Sequence, residues 1–179
     1  EGTMKAGGQT IFNILFMPAA VLNLVYIVFR PMITRMAIVW GENKTKEFLK
    51  ILLKILGGLL GMSILIMLGC WGLGIPVLSL VYGINLTSYR VHLLLIVLGG
   101  CLYTFSAVFD NALVVLRKQH ILLASYIVTW VYIKVIVKVL IGKWHMMGAT
   151  IAYFTSMIIF LIITMMMFIY FYKKESKTR

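Results

Sequence analysis

The apolar residues of this chain arrive in blocks, and the first block shows how far they constrain the fold: residues 10–29 read TIFNILFMPAAVLNLVYIVF. About 20 such residues in a helix cross the roughly 30 Å hydrocarbon core of a bilayer. Four more blocks follow, at 51–73, 91–116, 121–141 and 147–172. Trp40, Trp71, Tyr89, Trp144 and Tyr170 stand near block ends, where an aromatic belt belongs. The chain is 62% hydrophobic and 12% charged, against about 25% charged in soluble domains. An all-α integral membrane protein of about five transmembrane helices is predicted.

The net charge of +12 invites a nucleic-acid partner, and its distribution argues against one. Arg30, Arg35, Lys44, Lys46, Lys50 and Lys54 lie between or at the edges of the first two blocks. Arg117 and Lys118 separate the third and fourth, and Lys173, Lys174, Lys177 and Arg179 form a basic tail at 173–179. The alternate ends carry only Lys5, Arg90 and Lys143. Cytoplasmic loops carry the excess of Lys and Arg, so this alternation predicts a multi-pass protein of the cell membrane with residues 1–9 outside and the C-terminus cytoplasmic. The charge also suits contact with anionic lipid of the bilayer.

Cys70 and Cys101 have neither CxxC nor ligand-like spacing, and His92, His120 and His145 are scattered. No constellation of His with Ser, Cys, Asp or Glu is visible, so neither an enzyme nor a metal site is predicted. The opening, EGTMKAGGQ, has no signal-peptide layout, and the chain reads as the back part of a longer protein.

Local signals refine the blocks. Pro18 predicts a kink in the first span, and Pro31 redirects the chain at Arg30. Met32, Ile33, Met36 and Ile38–Trp40 make a short amphipathic piece, GENKT a turn, and Lys46, Lys50 and Lys54 a basic stripe. Gly57 and Gly61 are in GxxxG register, read as helix packing. Gly72, Gly74 and Pro76 are expected to break the second span, leaving PVLSLVYG as a short interfacial or re-entrant piece.

The succession ILFMPAAVLNLVYIVFRPMITRMAIVW, GIPVLSLVYGINLTSYR and LRKQHILLASY resembles the C-terminal part of the polysaccharide or lipid-linked oligosaccharide flippases, within the multidrug/oligosaccharidyl-lipid/polysaccharide exporter superfamily. The resemblance runs from about Gln9 to Tyr172. It implies that residues 10–172 form most of the second bundle of a MATE-like (MOP) transporter whose N-terminal half lies upstream. The implied substrate is a lipid-linked oligosaccharide of the undecaprenyl-pyrophosphate type, flipped by alternating access for cell-surface polysaccharide synthesis. No cofactor is implied; proton or sodium coupling is.

Candidate site residues are the polar groups inside the blocks. Lys134 and Lys138 lie about 20 and 26 Å along the fourth span, one turn apart. Lys138 suits snorkelling to the headgroups. Lys134, deeper, either snorkels or projects into a wet cavity to bind a pyrophosphate or acidic sugar. Arg90 is either an interfacial anchor or a second anion contact. Asp110, the one acid inside a span, is either a proton or sodium site or the partner of Arg117 or Lys118. Asn13 and Asn23 line a cavity or bond neighbouring helices. A multidrug extruder would want acids for cationic drugs; a non-transporting membrane scaffold would need none of these groups.

Overall fold

A computed structural model describes residues 6–178, with side chains except at 6, 7, 23, 25, 177 and 178. The described residues are helical throughout their regular structure: α1 (Ala6–Ile27), α2 (Arg30–Gly41), α3 (Thr45–Gly69), α4 (Ile75–Tyr82), α5 (Arg90–Val115) and α6 (Gln119–Thr178). Three helical stretches are long and apolar enough to cross a membrane: Thr45–Tyr82, Thr87–Val115 and Gln119–Ser176. A shorter apolar stretch, Gly8–Leu22, lies in α1. These are the marks of a multi-pass membrane protein.

The third stretch is a hairpin. At His145 the backbone leaves helical geometry (φ 44°, ψ −118°), and the limbs 119–144 and 146–178 fold back on one another. Tyr132 Oη donates to Thr155 Oγ1 at 3.0 Å, and the rings of Tyr126 and Phe160 lie 5.1 Å apart. The two limbs contain the apolar blocks at 121–141 and 147–172.

α5 is the central helix. It packs most extensively on α6, and also on α1, α2 and α3. Two small residues allow the approach: a Cβ on Gly99 would enter the ring of Tyr153, and one on Gly100 would lie 3.0 Å from Ala19 Cβ. Buried side chains form two clusters. One joins Met36, Trp40, Phe48, Phe109, Leu113 and Phe168; the other joins Leu15, Leu22, Cys70, Leu93, Ile96 and Cys101. They mark opposite ends of an up-and-down bundle. The basic segments after α1, after α5 and at the end of α6 meet at the first end, where Lys118 Nζ bonds Glu175 Oε1 at 3.0 Å and Tyr172 Oη donates to the Thr45 carbonyl at 3.1 Å.

The turns follow from local chemistry. Pro31 sits in the first turn of α2, where a missing N–H costs nothing. GENKT turns as predicted: Asn43, at φ 61°, closes α2 in the left-handed conformation that Asn tolerates. Beside it, the hydrogen bond from Lys44 to Glu42, at 2.7 Å, holds the lysine ammonium above its ordinary range. α5 ends in the same way, with Lys118 N–H reaching the Leu113 carbonyl and Arg117 N–H the Val114 carbonyl, both at 2.9 Å. Here the left-handed residue is Arg117, at φ 60°. A side chain in that conformation costs about 1–2 kcal/mol that glycine avoids. Arg117→Gly is therefore expected to raise stability by about 1 kcal/mol, read as a higher midpoint of thermal unfolding in detergent.

Two expectations are corrected. Gly72, Gly74 and Pro76 do not break the second span. The helix passes through one π-helical turn, Cys70–Gly74, and continues as α4. A π turn absorbs an extra residue without ending the helix, and Pro76 falls in the first turn of α4, where proline is tolerated. The GxxxG pair does not mediate packing among the described residues, because a Cβ at Gly57 or Gly61 would meet nothing within 4 Å. The close contact belongs instead to Gly58, whose Cβ would lie 2.8 Å from Phe29. The GxxxG spacing selects a helix face; the bundle uses the neighbouring one. The amphipathic piece at 32–40 is α2, with Met36, Val39 and Trp40 buried.

Candidate functional site

Asp110 lies about 8 Å before the end of α5 at 1.5 Å per residue, and it is the centre of a polar cluster in an apolar layer. Its Oδ2 accepts a hydrogen bond from Tyr126 Oη at 3.2 Å. Its Oδ1 is buried without a partner. The next residue, Asn111, donates from Nδ2 to Tyr26 Oη at 2.6 Å and to the Ala107 carbonyl at 2.7 Å. Tyr26 Oη donates in turn to the Ala107 carbonyl at 3.2 Å. Three helices thus meet through polar groups at one level: α1 through Tyr26, α5 through Asp110 and Asn111, and the first limb of α6 through Tyr126.

This geometry corrects one of the two roles open to Asp110. It does not pair with Arg117 or Lys118. Those residues stand beyond the turn that ends α5, and Lys118 is drawn to Glu175. The carboxylate turns towards the first limb of α6, where a phenol meets it. Buried polar atoms are ordinarily partnered, so the unpartnered oxygen marks a place where a proton or a cation finds a ready acceptor.

From Tyr126 a stripe runs up the same limb. Trp130 and Lys134 follow at four-residue intervals, on one helix face. Lys134 Nζ stands 5.3 Å from the Trp130 ring centroid, close enough for cation–π attraction. Tyr126 is 52% and Trp130 60% exposed, so no described helix covers this face. Beside it, Tyr126, Thr129, Trp130 and Ile133 line a shallow hollow of ≈ 430 Å³. Lys134 and the shallower Lys138 are both exposed. Tyr126 and Lys134 are about 12 Å apart along the axis, so Asp110 meets the foot of the stripe through Tyr126 and does not touch Lys134.

Arg90 belongs elsewhere. It opens α5, about 30 Å from Asp110 along that helix. Its guanidinium lies 5.0 Å from the Trp71 ring centroid and donates to the Trp71 carbonyl. The reason is in the sequence. An i→i+5 bond to that carbonyl would have to come from residue 76, which is proline and has no N–H. Arg90 supplies the missing donor across 19 residues of chain. Asn13 is exposed on α1, at the Arg90 end of the bundle. The Asn23 side chain lies outside the described residues.

The arrangement thus joins Asp110 with three residues that spacing had not singled out: Tyr26, Asn111 and Tyr126. It does not bring Arg90 or Asn13 to them. Tyr126 and Trp130 had a signal, the four-residue interval leading to Lys134. Tyr26 had none, being 85 residues from Asn111. Among the described residues no three His, Cys, Asp or Glu side chains gather as a metal site, and Cys70 and Cys101 are buried and unbridged. No protein-family model, curated protein or solved structure matches the chain.

Proposed function

We propose that this chain is the second bundle of a transporter that flips a lipid-linked, undecaprenyl-pyrophosphate-type oligosaccharide across the cell membrane by alternating access, for cell-surface polysaccharide synthesis. The observation that carries the proposal is the uncovered stripe Tyr126–Trp130–Lys134, rooted at Asp110. Charge inside a membrane is costly, and a lysine with two exposed polar aromatics recurring on one face at this depth suits a wet cavity. On this reading the stripe faces an opposing bundle, the N-terminal half of a longer protein. The residues 119–144 and 146–178 are then two spans, and with those of α1, α3 and α5 they make five.

In that cavity Lys134 holds phosphate oxygens as a point charge, and the rings of Tyr126 and Trp130 offer flat apolar faces to sugar. Asp110 takes the coupling proton or sodium ion. The basic end of the bundle is cytoplasmic, by the positive-inside rule.

Lys134→Ala in the full-length protein tests this. A charged hydrogen bond contributes about 1.5–3 kcal/mol, so flipping should fall about tenfold or more, with lipid-linked precursor accumulating and surface polysaccharide lost. Lys134→Arg should retain activity. Unchanged polysaccharide at unchanged protein level would remove Lys134 from the anion path. One observation favours a second reading, a multidrug extruder: the unpartnered Asp110 oxygen beside the Tyr126 phenol suits an organic cation. Energy-dependent efflux of a cationic dye, lost in Asp110→Asn and kept in Lys134→Ala, would select it.

A further inference from the structure

A second hollow lies away from the Asp110 cluster and has a different chemistry. It is a groove of ≈ 630 Å³ between α3 and α5. Leu60, Ile64 and Leu68 form one wall; Leu94, Leu98 and Leu102 form the other. Along α3 it runs from Leu60 to Trp71, about 16 Å at helical rise. That is one leaflet's share of the roughly 30 Å hydrocarbon core.

The groove ends at a cation. Trp71 lines both this groove and an adjoining hollow of ≈ 210 Å³ that also contains Thr87 and Arg90. Arg90 is exposed. A guanidinium has five N–H donors, and the bond to the Trp71 carbonyl uses one of them. The carboxylates that could neutralise it are elsewhere among the described residues. Glu42, Glu47 and Glu175 pair with basic residues at the opposite end, and Asp110 bonds Tyr126. An apolar channel one leaflet deep, with an unneutralised cation at its mouth, is complementary to an amphiphile with an anionic head.

We propose that the α3–α5 groove holds one acyl chain of an anionic phospholipid of the bilayer, with its phosphate on Arg90. The walls position the lipid without selecting it, since lipid tails are as apolar as leucine. Selection comes from the headgroup. One arginine at a membrane surface favours an anionic over a neutral lipid by about fivefold. The proposal is independent of transport: it needs only the groove and Arg90.

The test uses the whole chain in phosphatidylcholine vesicles, with a trace of phosphatidylglycerol bearing a photoactivatable acyl chain. The same chain on phosphatidylcholine is the reference, and labelled peptides are read by mass spectrometry. Phosphatidylglycerol should label the groove residues Leu60, Ile64, Leu68, Leu94, Leu98 and Leu102 about fivefold more than the reference. Arg90→Gln should abolish that preference, and Arg90→Lys should keep it. Because Arg90 also serves the Trp71 carbonyl, Leu68→Trp provides a second route. Leu68 is 61% exposed on the groove wall, so an indole there fills the groove without crowding the core. Groove labelling should then fall for both probes while labelling at Leu65 and Leu73 stays. Equal labelling by the two probes would overturn the proposal. So would even labelling over all exposed leucines, or no labelling of the groove by either probe.

Discussion

Gly148→Val will prevent the α6 hairpin from closing, and little folded protein is expected. A Cβ on Gly148 would fall on the carbonyl carbon and oxygen of Leu140, with Ile141 N at 2.9 Å. These are backbone atoms of the opposite limb, so no side-chain rotation relieves the overlap. The limbs must separate near His145, losing the Tyr132–Thr155 hydrogen bond and the Tyr126–Phe160 contact. Overpacking costs about 1–3 kcal/mol when side chains can yield, and more where they cannot. The readouts are thermal unfolding in detergent and the yield of a crosslink by a short bifunctional thiol reagent between cysteines placed at 132 and 155, whose native side chains meet at their tips. Gly142→Ala is the control. Its Cβ meets nothing within 4 Å, and alanine in a helix should be neutral or stabilising by up to about 1 kcal/mol. A folded Gly148→Val chain with full crosslinking would show that the limbs do not approach this closely.

Asp110 carries the second large effect. Asp110→Asn keeps an acceptor for the Tyr126 hydroxyl, so stability should change little. It removes the one charge able to take up a proton or sodium ion at this level of the bundle. On the transporter reading, flipping in the full-length protein should lose its response to an imposed proton or sodium gradient and fall about tenfold or more. Asp110→Leu should add a stability loss of about 1 kcal/mol, the net worth of the hydrogen bond from the half-exposed Tyr126 hydroxyl. The comparison separates the two roles: equal transport in wild type and Asp110→Asn under either gradient would leave Asp110 a purely structural acceptor. The measurement is substrate flux into vesicles under each gradient, with unfolding midpoints recorded for both variants.

The parts of this fold that were legible in the sequence depend on neighbours a few residues apart. Apolar runs announce the long helices, Pro31 announces the break between α1 and α2, and Asn43 sits where a left-handed residue must close a helix. The fate of Gly72, Gly74 and Pro76 was not legible, because each is a helix breaker by its own propensity and only their joint placement around a π turn makes them harmless. Gly57 and Gly61 misled for a related reason: spacing defines a helix face without saying whether a neighbour occupies it. The candidate site divides in the same way. Asp110 and Lys134 stood out as charges among apolar residues. The partner of Asp110 did not, since Tyr126 reaches it only across the reversal at Arg117, and Tyr26 arrives from the far end of the chain. Arg90 drew notice for its charge, while its bond to the Trp71 carbonyl follows from Pro76, fourteen places earlier in the sequence.

That bond sets an order of assembly. Helices of this kind leave the ribosome one after another, N-terminal first. When the Thr45–Tyr82 helix is complete, Pro76 offers the Trp71 carbonyl no i→i+5 donor, and the bond from Arg90 that ties this joint to α5 is still missing. Arg90 has not yet been made. Until α5 arrives, the joint between α3 and α4 is therefore the weakest point of the nascent chain, free to sample other bends and open to chaperones. Insertion of α5 then fixes the joint and, with Gly100 against Ala19, brings α1 to its place in the same step. A chain stopped before residue 90 should hold α1 and the Thr45–Tyr82 helix as loosely associated segments, and one stopped after residue 115 should hold them as a unit.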